Sequence, residues 1–275
     1  MGKNMMPVFV YGTLLQGLCR HSALESGEFL GPAMIDATMY DLGFFPGIKV
    51  TSGMVIGELY HVSSEVLGRL DDIEGFSPSD HSSSLYIRQE ISVRKLCDGT
   101  RVSGYVYVYN HSVGTHPVVV HGDYRRYILE KKHEQQWIVA YGSNLSRERL
   151  FDRVGNVIEQ KKGYLDGYSL VFNKQAGDGN AYANIAFSTE DRCPAVASLL
   201  TPEQISVLDQ YEGVPTHYVR TSLPFSSASA RQIMQVYVAH PDMLVSGRIP
   251  RNDYFEHIRT GYREHGFEEI IRVRE

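Results

Sequence analysis

The chain has 275 residues, of which 43% are hydrophobic and 21% are charged, and its formal net charge is −5. This composition is typical of a soluble globular protein, and no apolar run approaches the roughly 18 residues that a membrane-spanning helix needs. The sequence therefore predicts no membrane span. Lys and Arg are spread along the chain rather than gathered into blocks, so the sequence also predicts no nucleic-acid partner.

The first segment, residues 1–17, has a short apolar stretch but no long apolar core and no small-residue cleavage site. It therefore predicts the first strand of a domain rather than a secretory leader. The cysteines, Cys19, Cys97 and Cys193, are odd in number, widely spaced and not at metal-ligand spacing. We therefore expect no metal site and a cytoplasmic location.

An internal repeat is the main organising feature of the chain. Four short segments return in the same order, at offsets between 130 and 138 residues, which indicates a duplicated domain. The matching segments are Val8–Leu14 and Ile138–Asn144, Leu70–Gly75 and Leu208–Gly213, Tyr86–Arg88 and Tyr218–Arg220, and Asp123-Tyr124 and Asp253-Tyr254.

Each copy is expected to contain an apolar strand, a glycine turn, further strands, one short helix, two more strands and a terminal helix. The polar segment 129–136 is expected to hold the frayed end of the first terminal helix, and the predicted domains are 1–134 and 135–275. The segment 77–84 has turn composition and predicts an exposed loop.

The short helix has clear start signals in both copies. Thr201 predicts an N-cap, Pro202 suits the first helical position, and Gln204 completes the pattern of a capping box. In the first copy, Ser63 is the predicted N-cap and Glu65 lies near the positive end of the helix dipole.

A glutamate ends this helix in both copies. Leu67, Leu70 and Glu74 fall at i, i+3 and i+7, so the carboxylate shares a face with leucines that pack against the sheet, and the second copy repeats this spacing up to Glu212. An acid in this place is expected to have a raised pKa, which suits proton transfer. The alternative is a solvated glutamate at a frayed helix end, but its recurrence in two diverged copies favours a catalytic role.

The first strand of each copy leads directly into a Tyr-Gly turn. Glycine permits close approach or positive φ, and successive backbone amides can bind an anion or a developing oxyanion. The alternative is an ordinary strand-ending turn in which Thr or Ser bonds its own backbone.

Together these motifs resemble a known superfamily. The first copy, with Val-Tyr-Gly-Thr-Leu, Leu-Asp-x-x-Glu-Gly and Tyr-x-Arg, resembles the γ-glutamylamine cyclotransferase and AIG2-like branch of the γ-glutamylcyclotransferases. The second copy, with Ala-Tyr-Gly-Ser-Asn-Leu and Asn180–Ile185, is similar to the γ-glutamylcyclotransferase branch. The resemblance implies an α+β fold made of two tandem copies of a small mixed β-barrel with flanking helices.

The resemblance also implies the site residues. The glutamates Glu74 and Glu212 would be general base and acid, and the turns after the first strands would bind the γ-glutamyl group. The implied binding residues are Tyr11, Gly12, Thr13, Leu14, Tyr141, Gly142, Ser143, Asn144, Leu145 and two tyrosines of the terminal helices, Tyr124 and Tyr254.

Two strand arginines have two possible roles. Arg88 and Arg220 could pair with a substrate carboxylate, but a strand arginine more often belongs to a structural ion pair. The two terminal-helix tyrosines likewise have packing as their alternative role.

The implied reaction is attack of a γ-glutamyl α-amine on its own γ-carbonyl, which releases 5-oxoproline and a free amine. The expected partner is a small γ-glutamyl substrate, and no metal or organic cofactor is required. One alternative is a catalytic half beside a degenerate structural or regulatory half, and another is a protein that binds γ-glutamyl or amino-acid ligands without turnover. A further variant is removal of a γ-glutamyl protecting group from a biosynthetic intermediate.

The sequence leaves the released amine and the oligomeric state open. Because familiar members of the superfamily have a single domain and some of them dimerise, a further hypothesis is that the two halves pair within one chain as such a dimer does.

Overall fold

The computed structural model describes residues 5–268. The chain divides into two compact units, Met1–Tyr127 (unit 1) and Ile128–Glu275 (unit 2). Within the described residues, no helix is both long and apolar enough to span a membrane.

Unit 1 is a closed barrel with a short helix before its fourth strand. Its strands follow the order β1-β3-β2-β4-β5 around the barrel. Its elements are β1 (Met6–Val10), β2 (Glu28–Asp41), β3 (Pro46–Val62), α1 (Ser64–Glu74), β4 (Tyr86–Lys95), β5 (Arg101–Tyr109) and α2 (Tyr124–Lys132), with a 3-10 turn at His21–Leu24. Helix α2 crosses the division between the units, and the predicted boundary at 134/135 falls just beyond its end.

Unit 2 repeats this barrel with one additional helix. Its strands follow the order β6-β8-β7-β9-β10, which is the order of unit 1. Its elements are β6 (Gln136–Ala140), α3 (Arg147–Val154), β7 (Glu159–Gln175), β8 (Ala181–Leu200), α4 (Pro202–Glu212), β9 (Tyr218–Ser227), β10 (Arg231–Ala239) and α5 (Asn252–Glu264), with 3-10 turns at Ser143–Leu145 and Pro241–Met243. The sequence patterns do not predict α3.

Each barrel closes through one parallel contact between its first and last strands. Val8 pairs with Tyr105 in unit 1, and Ile138 pairs with Gln235 in unit 2, while the other strand pairs are antiparallel. Because closure leaves no open sheet edge, the first strand of each unit is fixed from both sides. The predicted α+β fold of two mixed barrels with flanking helices is confirmed.

The N-caps of α1 and α4 are as predicted. Ser63 accepts a hydrogen bond at the start of α1. At the start of α4, Gln204 N donates to Thr201 Oγ1 at 3.3 Å and Thr201 N donates to Gln204 Oε1 at 3.1 Å, which is a complete capping box. Gly75 and Gly213 follow the helices in the left-handed region, with φ of 61° and 65°. Each glutamate is therefore the last helical residue before a glycine that sets the direction of the next loop.

A buried ion pair is present in unit 1 and replaced in unit 2. Arg125 Nη1 lies 2.5 Å from Glu58 Oε1, and the two side chains are 3% and 1% exposed. In the strand register Glu58 faces Val10, and the corresponding residue of unit 2 is Val196. Arg125 corresponds in the repeat to Phe255, so buried apolar residues stand in place of the charges.

The single tryptophan of the chain, Trp137, lies in β6 of unit 2. It is half-buried, and Lys161 Nζ lies 4.0 Å from the centre of a ring of its side chain. This distance is in the range of a cation–π contact, so the indole has a defined charged neighbour.

Candidate functional site

The Tyr-Gly turn of unit 1 is fixed by its own backbone and by its neighbours. Leu15 N donates to Gly12 O at 3.0 Å, and Arg20 N donates to Thr13 O at 3.0 Å. A Cβ added to Gly12 would lie 2.9 Å from Pro46 Cγ, so no larger residue fits without movement. The glycine is required here for close approach rather than for positive φ.

The turn leaves backbone donors beside a cavity. Among residues 5–268, the amides of Gly12, Thr13 and Leu14 donate to no protein acceptor. All three residues line a cavity of about 540 Å³, a volume that includes open solvent at its mouth. Unpaired amides in such a place can bind a carboxylate or a developing oxyanion.

Glu74 lines the same cavity. Its carboxylate is partly buried and forms no hydrogen bond or ion pair with any residue in the described range 5–268. Burial raises the pKa of Glu74 to about 7, while the positive charge of Arg20 acts in the opposite direction. A carboxyl group with this pKa is present in both protonation states near neutral pH, which is what an acid–base catalyst needs.

The rest of the unit 1 cavity is largely apolar and aromatic. Its only charged lining residues within the described part of the chain are Glu74 and Arg20. Tyr124 is buried at the start of α2 and is not among the lining residues. The remaining lining residues are Phe9, Val10, Tyr11, Phe45, Pro46, Ile73, Leu85, Tyr86 and Tyr107.

In unit 2 the terminal-helix tyrosine does reach the turn. A Cβ added to Gly142 would lie 3.0 Å from Ala183 Cβ and 3.5 Å from the Tyr254 hydroxyl, so the glycine again permits close approach. The Tyr254 hydroxyl accepts a hydrogen bond from Ala183 N at 3.1 Å, and burial raises the pKa of Tyr254 to about 12. Leu145 is buried against Gly261 of α5 and is not a lining residue.

Glu212 occupies the place of Glu74 but has different neighbours. Its Oε1 atom accepts from Asn144 Nδ2 and from Arg153 Nη1, both at 2.9 Å. Arg153 also donates to Asn144 Oδ1 at 2.8 Å, so the three side chains form a closed network. The two predicted catalytic glutamates therefore differ: one carboxylate is without a partner in the described chain, and the other is ion-paired.

The strand arginines form structural ion pairs. Arg88 Nη1 lies 2.5 Å from Asp71 of α1, and Arg220 binds Asp209 of α4 through Nε and Nη2, both at 2.9 Å. Each aspartate lies three residues before the helix-ending glutamate. These pairs attach α1 and α4 to their barrels.

Sequence reasoning missed the basic residues near the unit 2 site. Arg149 and Arg153 lie on α3, and Lys174 lies on β7. A signal for α3 was available: Ser146 accepts a hydrogen bond at the helix start, and Glu148 follows in the first turn. Within residues 5–268 there is no group of three or more His, Cys, Asp or Glu side chains arranged to hold a metal ion.

Comparison with known proteins matches both units to one family. The model described as "Gamma-glutamyl cyclotransferase, AIG2-like" matches residues 8–126 and 138–256. A protein of Niallia circulans named Gamma-L-glutamyl-butirosin B gamma-glutamyl cyclotransferase is 36% identical over 112 residues, which are 40% of this chain and 70% of the relative. The gamma-glutamylcyclotransferase family protein YtfP of Escherichia coli is 28% identical over 120 residues, which are 43% of this chain and 96% of YtfP.

A solved structure matches nearly the whole chain. The crystal structure of YkqA from Bacillus subtilis has a TM-score of 0.73 at 18% identity, and the match covers 94% of this chain and 92% of YkqA. At that identity the likeness shows the fold alone. The family model covers most of each unit, and the chain therefore belongs to the AIG2-like gamma-glutamyl cyclotransferase family, with two copies of the family domain.

Proposed function

We propose that this chain is a cyclotransferase that releases 5-oxoproline and a free amine from γ-glutamyl amides, with Glu74 as the general base and acid of unit 1. The observation that carries the proposal is the position of Glu74. It is a partly buried carboxyl group, with a pKa raised to about 7, that lines the same cavity as the amides of the Tyr-Gly turn. The family and the names of the two relatives support cyclotransferase activity in general.

The proposed reaction has three proton transfers, two of which pass through Glu74. Glu74 takes a proton from the α-ammonium group, and the freed amine attacks the γ-carbonyl carbon, so that a C–N bond forms and the carbonyl oxygen becomes negative. The amides of Gly12, Thr13 and Leu14 would donate to this oxygen or to the α-carboxylate. The oxyanion then re-forms the carbonyl as the original amide C–N bond breaks, and protonated Glu74 gives its proton to the departing nitrogen. The attacking nitrogen gives up its remaining extra proton to the released amine, which leaves as an ammonium ion, and the other product is 5-oxoproline.

The apolar walls of the unit 1 cavity support this role. Residues such as Phe45, Leu85 and Tyr86 limit the water around Glu74, and the resulting desolvation is the main cause of its raised pKa. Since the nucleophile and the electrophile belong to one substrate, a cavity that holds the substrate in its cyclic conformation supplies a further part of the acceleration.

A second candidate assigns catalysis to unit 1 and another role to unit 2. The specific observation in its favour is the Arg153–Glu212 ion pair, which occupies one oxygen of the second glutamate. In this arrangement unit 2 binds a ligand or supports the fold, whereas in the first candidate both units turn over substrate and Glu212 exchanges its partner when substrate binds.

The test is release of 5-oxoproline from a panel of γ-glutamyl amides by the full chain and by Glu74→Gln, Glu212→Gln and the double variant. We expect Glu74→Gln to lower kcat for unit 1 substrates by about 100-fold or more, the usual contribution of a general base. Glu65→Gln, the same change at the exposed start of α1, is the matched control. Full activity of the double variant would overturn the proposal.

The same panel separates the two candidates. If Glu212→Gln alone leaves every rate unchanged while Glu74→Gln removes all release, only unit 1 is catalytic. If each single variant abolishes the release of 5-oxoproline from a different set of substrates, both units are catalytic. Binding of a γ-glutamyl amide without release from any member of the panel would favour the non-catalytic alternative.

A further inference from the structure

The unit 2 site contains more positive charge than its single carboxylate can balance. A cavity of about 920 Å³, open solvent included, is lined by Glu212, Arg149, Arg153 and Lys174 together with neutral and aromatic residues. Of the described residues that line it, Glu212 is the one acidic side chain. In unit 1 the cavity beside Glu74 has one acid, Glu74, and one cation, Arg20.

The positive charge of Arg153 is balanced by its ion pair with Glu212. The charges of Arg149 and Lys174 are not balanced in this way. Arg149 Nε donates to the Ser143 hydroxyl at 3.1 Å, and within residues 5–268 the arginine forms no ion pair with a carboxylate. Burial and the neighbouring charge of Arg153 both lower the pKa of Arg149. An anion bound beside these two arginines would reduce their repulsion.

Lys174 is a deeply buried charge. The residue is 4% exposed, and its Nζ donates to His217 Nδ1 at 3.0 Å and lies 5.1 Å and 5.5 Å from the ring centres of Tyr182 and Tyr218. Like Arg149, it has no carboxylate partner in the described part of the chain. A buried ammonium group with neutral partners alone is costly, which points to a ligand that supplies the missing negative charge.

We infer that unit 2 takes γ-glutamyl amides whose amine portion carries two negative charges, such as the two carboxylates of an acidic amino acid or a phosphate group. The γ-glutamyl group itself has one ammonium and one carboxylate, so it is neutral overall. Arg149 and Lys174 therefore have to be balanced by the amine portion. Unit 1, in which Arg20 and Glu74 already balance, takes amides with a less charged amine portion.

This inference depends on the proposed function for turnover but not for binding, and the experiment measures both. The full chain carrying Glu74→Gln, which silences unit 1, is assayed with γ-glutamylglutamate and with γ-glutamylglutamine, which is nearly the same size but has one charge fewer. Binding of each is followed by calorimetry, and release of 5-oxoproline is followed in parallel. γ-Glutamyl phosphoethanolamine distinguishes a phosphate from two carboxylates as the preferred group.

We expect unit 2 to favour γ-glutamylglutamate by about tenfold or more in Kd, the size expected for one charge-assisted contact, and the preference to shrink as salt is added. Lys174→Met and Arg149→Met should each remove most of the preference, whereas Lys174→Arg should keep it. Lys161→Met, the same change elsewhere on β7, is the matched control and should keep it too.

The outcomes separate the two proposals. A binding preference without release upholds the inference and counts against catalysis in unit 2. Release of both amides at equal kcat/KM, with equal binding, overturns the inference and leaves the cyclotransferase proposal standing. A preference that persists in both Lys174→Met and Arg149→Met also overturns the inference, because the charge recognition would then come from other residues.

Discussion

The Tyr107 hydroxyl donates a 2.7 Å hydrogen bond to Asp71 Oδ1, the same aspartate that pairs with Arg88. The backbone carbonyl of Tyr107 in turn accepts a 2.6 Å hydrogen bond from the Tyr11 hydroxyl. One tyrosine of β5 thus connects the Tyr-Gly turn to the helix that ends at Glu74. The same connection recurs in unit 2 through Tyr141, Tyr237, Asp209 and Arg220.

Tyr107→Phe should weaken this connection while leaving the ring in place. Loss of one hydrogen bond to a charged acceptor should lower the free energy of unfolding by about 1.5–3 kcal/mol and lower kcat for unit 1 substrates more than it raises KM. Urea unfolding followed by circular dichroism, with steady-state kinetics, measures both. Tyr40→Phe is the control, since that hydroxyl has no hydrogen bond within residues 5–268; equal effects of the two changes would argue against a positioning role for Tyr107.

The pH dependence of unit 1 should follow the ionisation of Glu74. Because the base must be deprotonated, kcat/KM measured in the Glu212→Gln background should rise as pH increases through about 7. Arg20→Met removes a positive charge that lowers the pKa of Glu74, so it should move the rise to higher pH. A rise that stays in the same place in this variant would show that another group controls the profile.

Stability should also report the raised pKa of Glu74. In the folded state the carboxyl keeps its proton up to pH about 7, whereas in the unfolded chain it loses the proton near the ordinary pKa of Glu, so the folded state loses stability as pH rises between these values. Glu74→Gln should therefore be more stable than the wild type at pH 8, by about 1–2 kcal/mol after allowance for partial solvent exposure. The difference should shrink as pH falls from 8 towards 5, and unfolding in urea at several pH values tests it; a constant difference would contradict the assignment.

The buried Glu58–Arg125 pair gives a test of the repeat itself. Glu58→Val alone leaves a buried guanidinium without its carboxylate and should cost about 3–5 kcal/mol in the free energy of unfolding. The double change Glu58→Val with Arg125→Phe places the residues of unit 2, Val196 and Phe255, in the matching positions of unit 1. We expect the double variant to recover most of the lost free energy of unfolding. A double variant as unstable as the single one would show that the residues around this pair differ too much between the two barrels for the unit 2 residues to replace it.

The parts of the structure that sequence could predict are those set by local interactions. Thr201 and Gln204 form a capping box within four residues, and Gly75 and Gly213 end their helices through their own backbone conformation. The barrel follows from the repeated motifs and the family they resemble. The sequence permits either close approach or positive φ at Gly12, and the close approach depends on Pro46, which no local pattern reveals.

The difference between the two glutamates could not be predicted, because it depends on contacts between distant segments. Arg153 lies on a helix with one buried residue, Leu150, so α3 shows little of the apolar pattern that marks α1 and α4. Its partner Glu212 lies 59 residues further along the chain. Matching motifs therefore leave open whether both copies are catalytic, whereas the structure shows that the electrostatic surroundings of Glu74 and Glu212 are different.

The position of Trp137 makes unit 2 optically distinct. Since this is the only tryptophan in the chain, its emission reports the state of unit 2, while circular dichroism reports both barrels at once. Lys161, held over the indole ring, moves away when β6 and β7 separate, so unfolding of unit 2 changes both the solvation and the electric field of the fluorophore. One untagged sample therefore carries a built-in reporter that tells whether the two barrels unfold as one cooperative system or in separate steps.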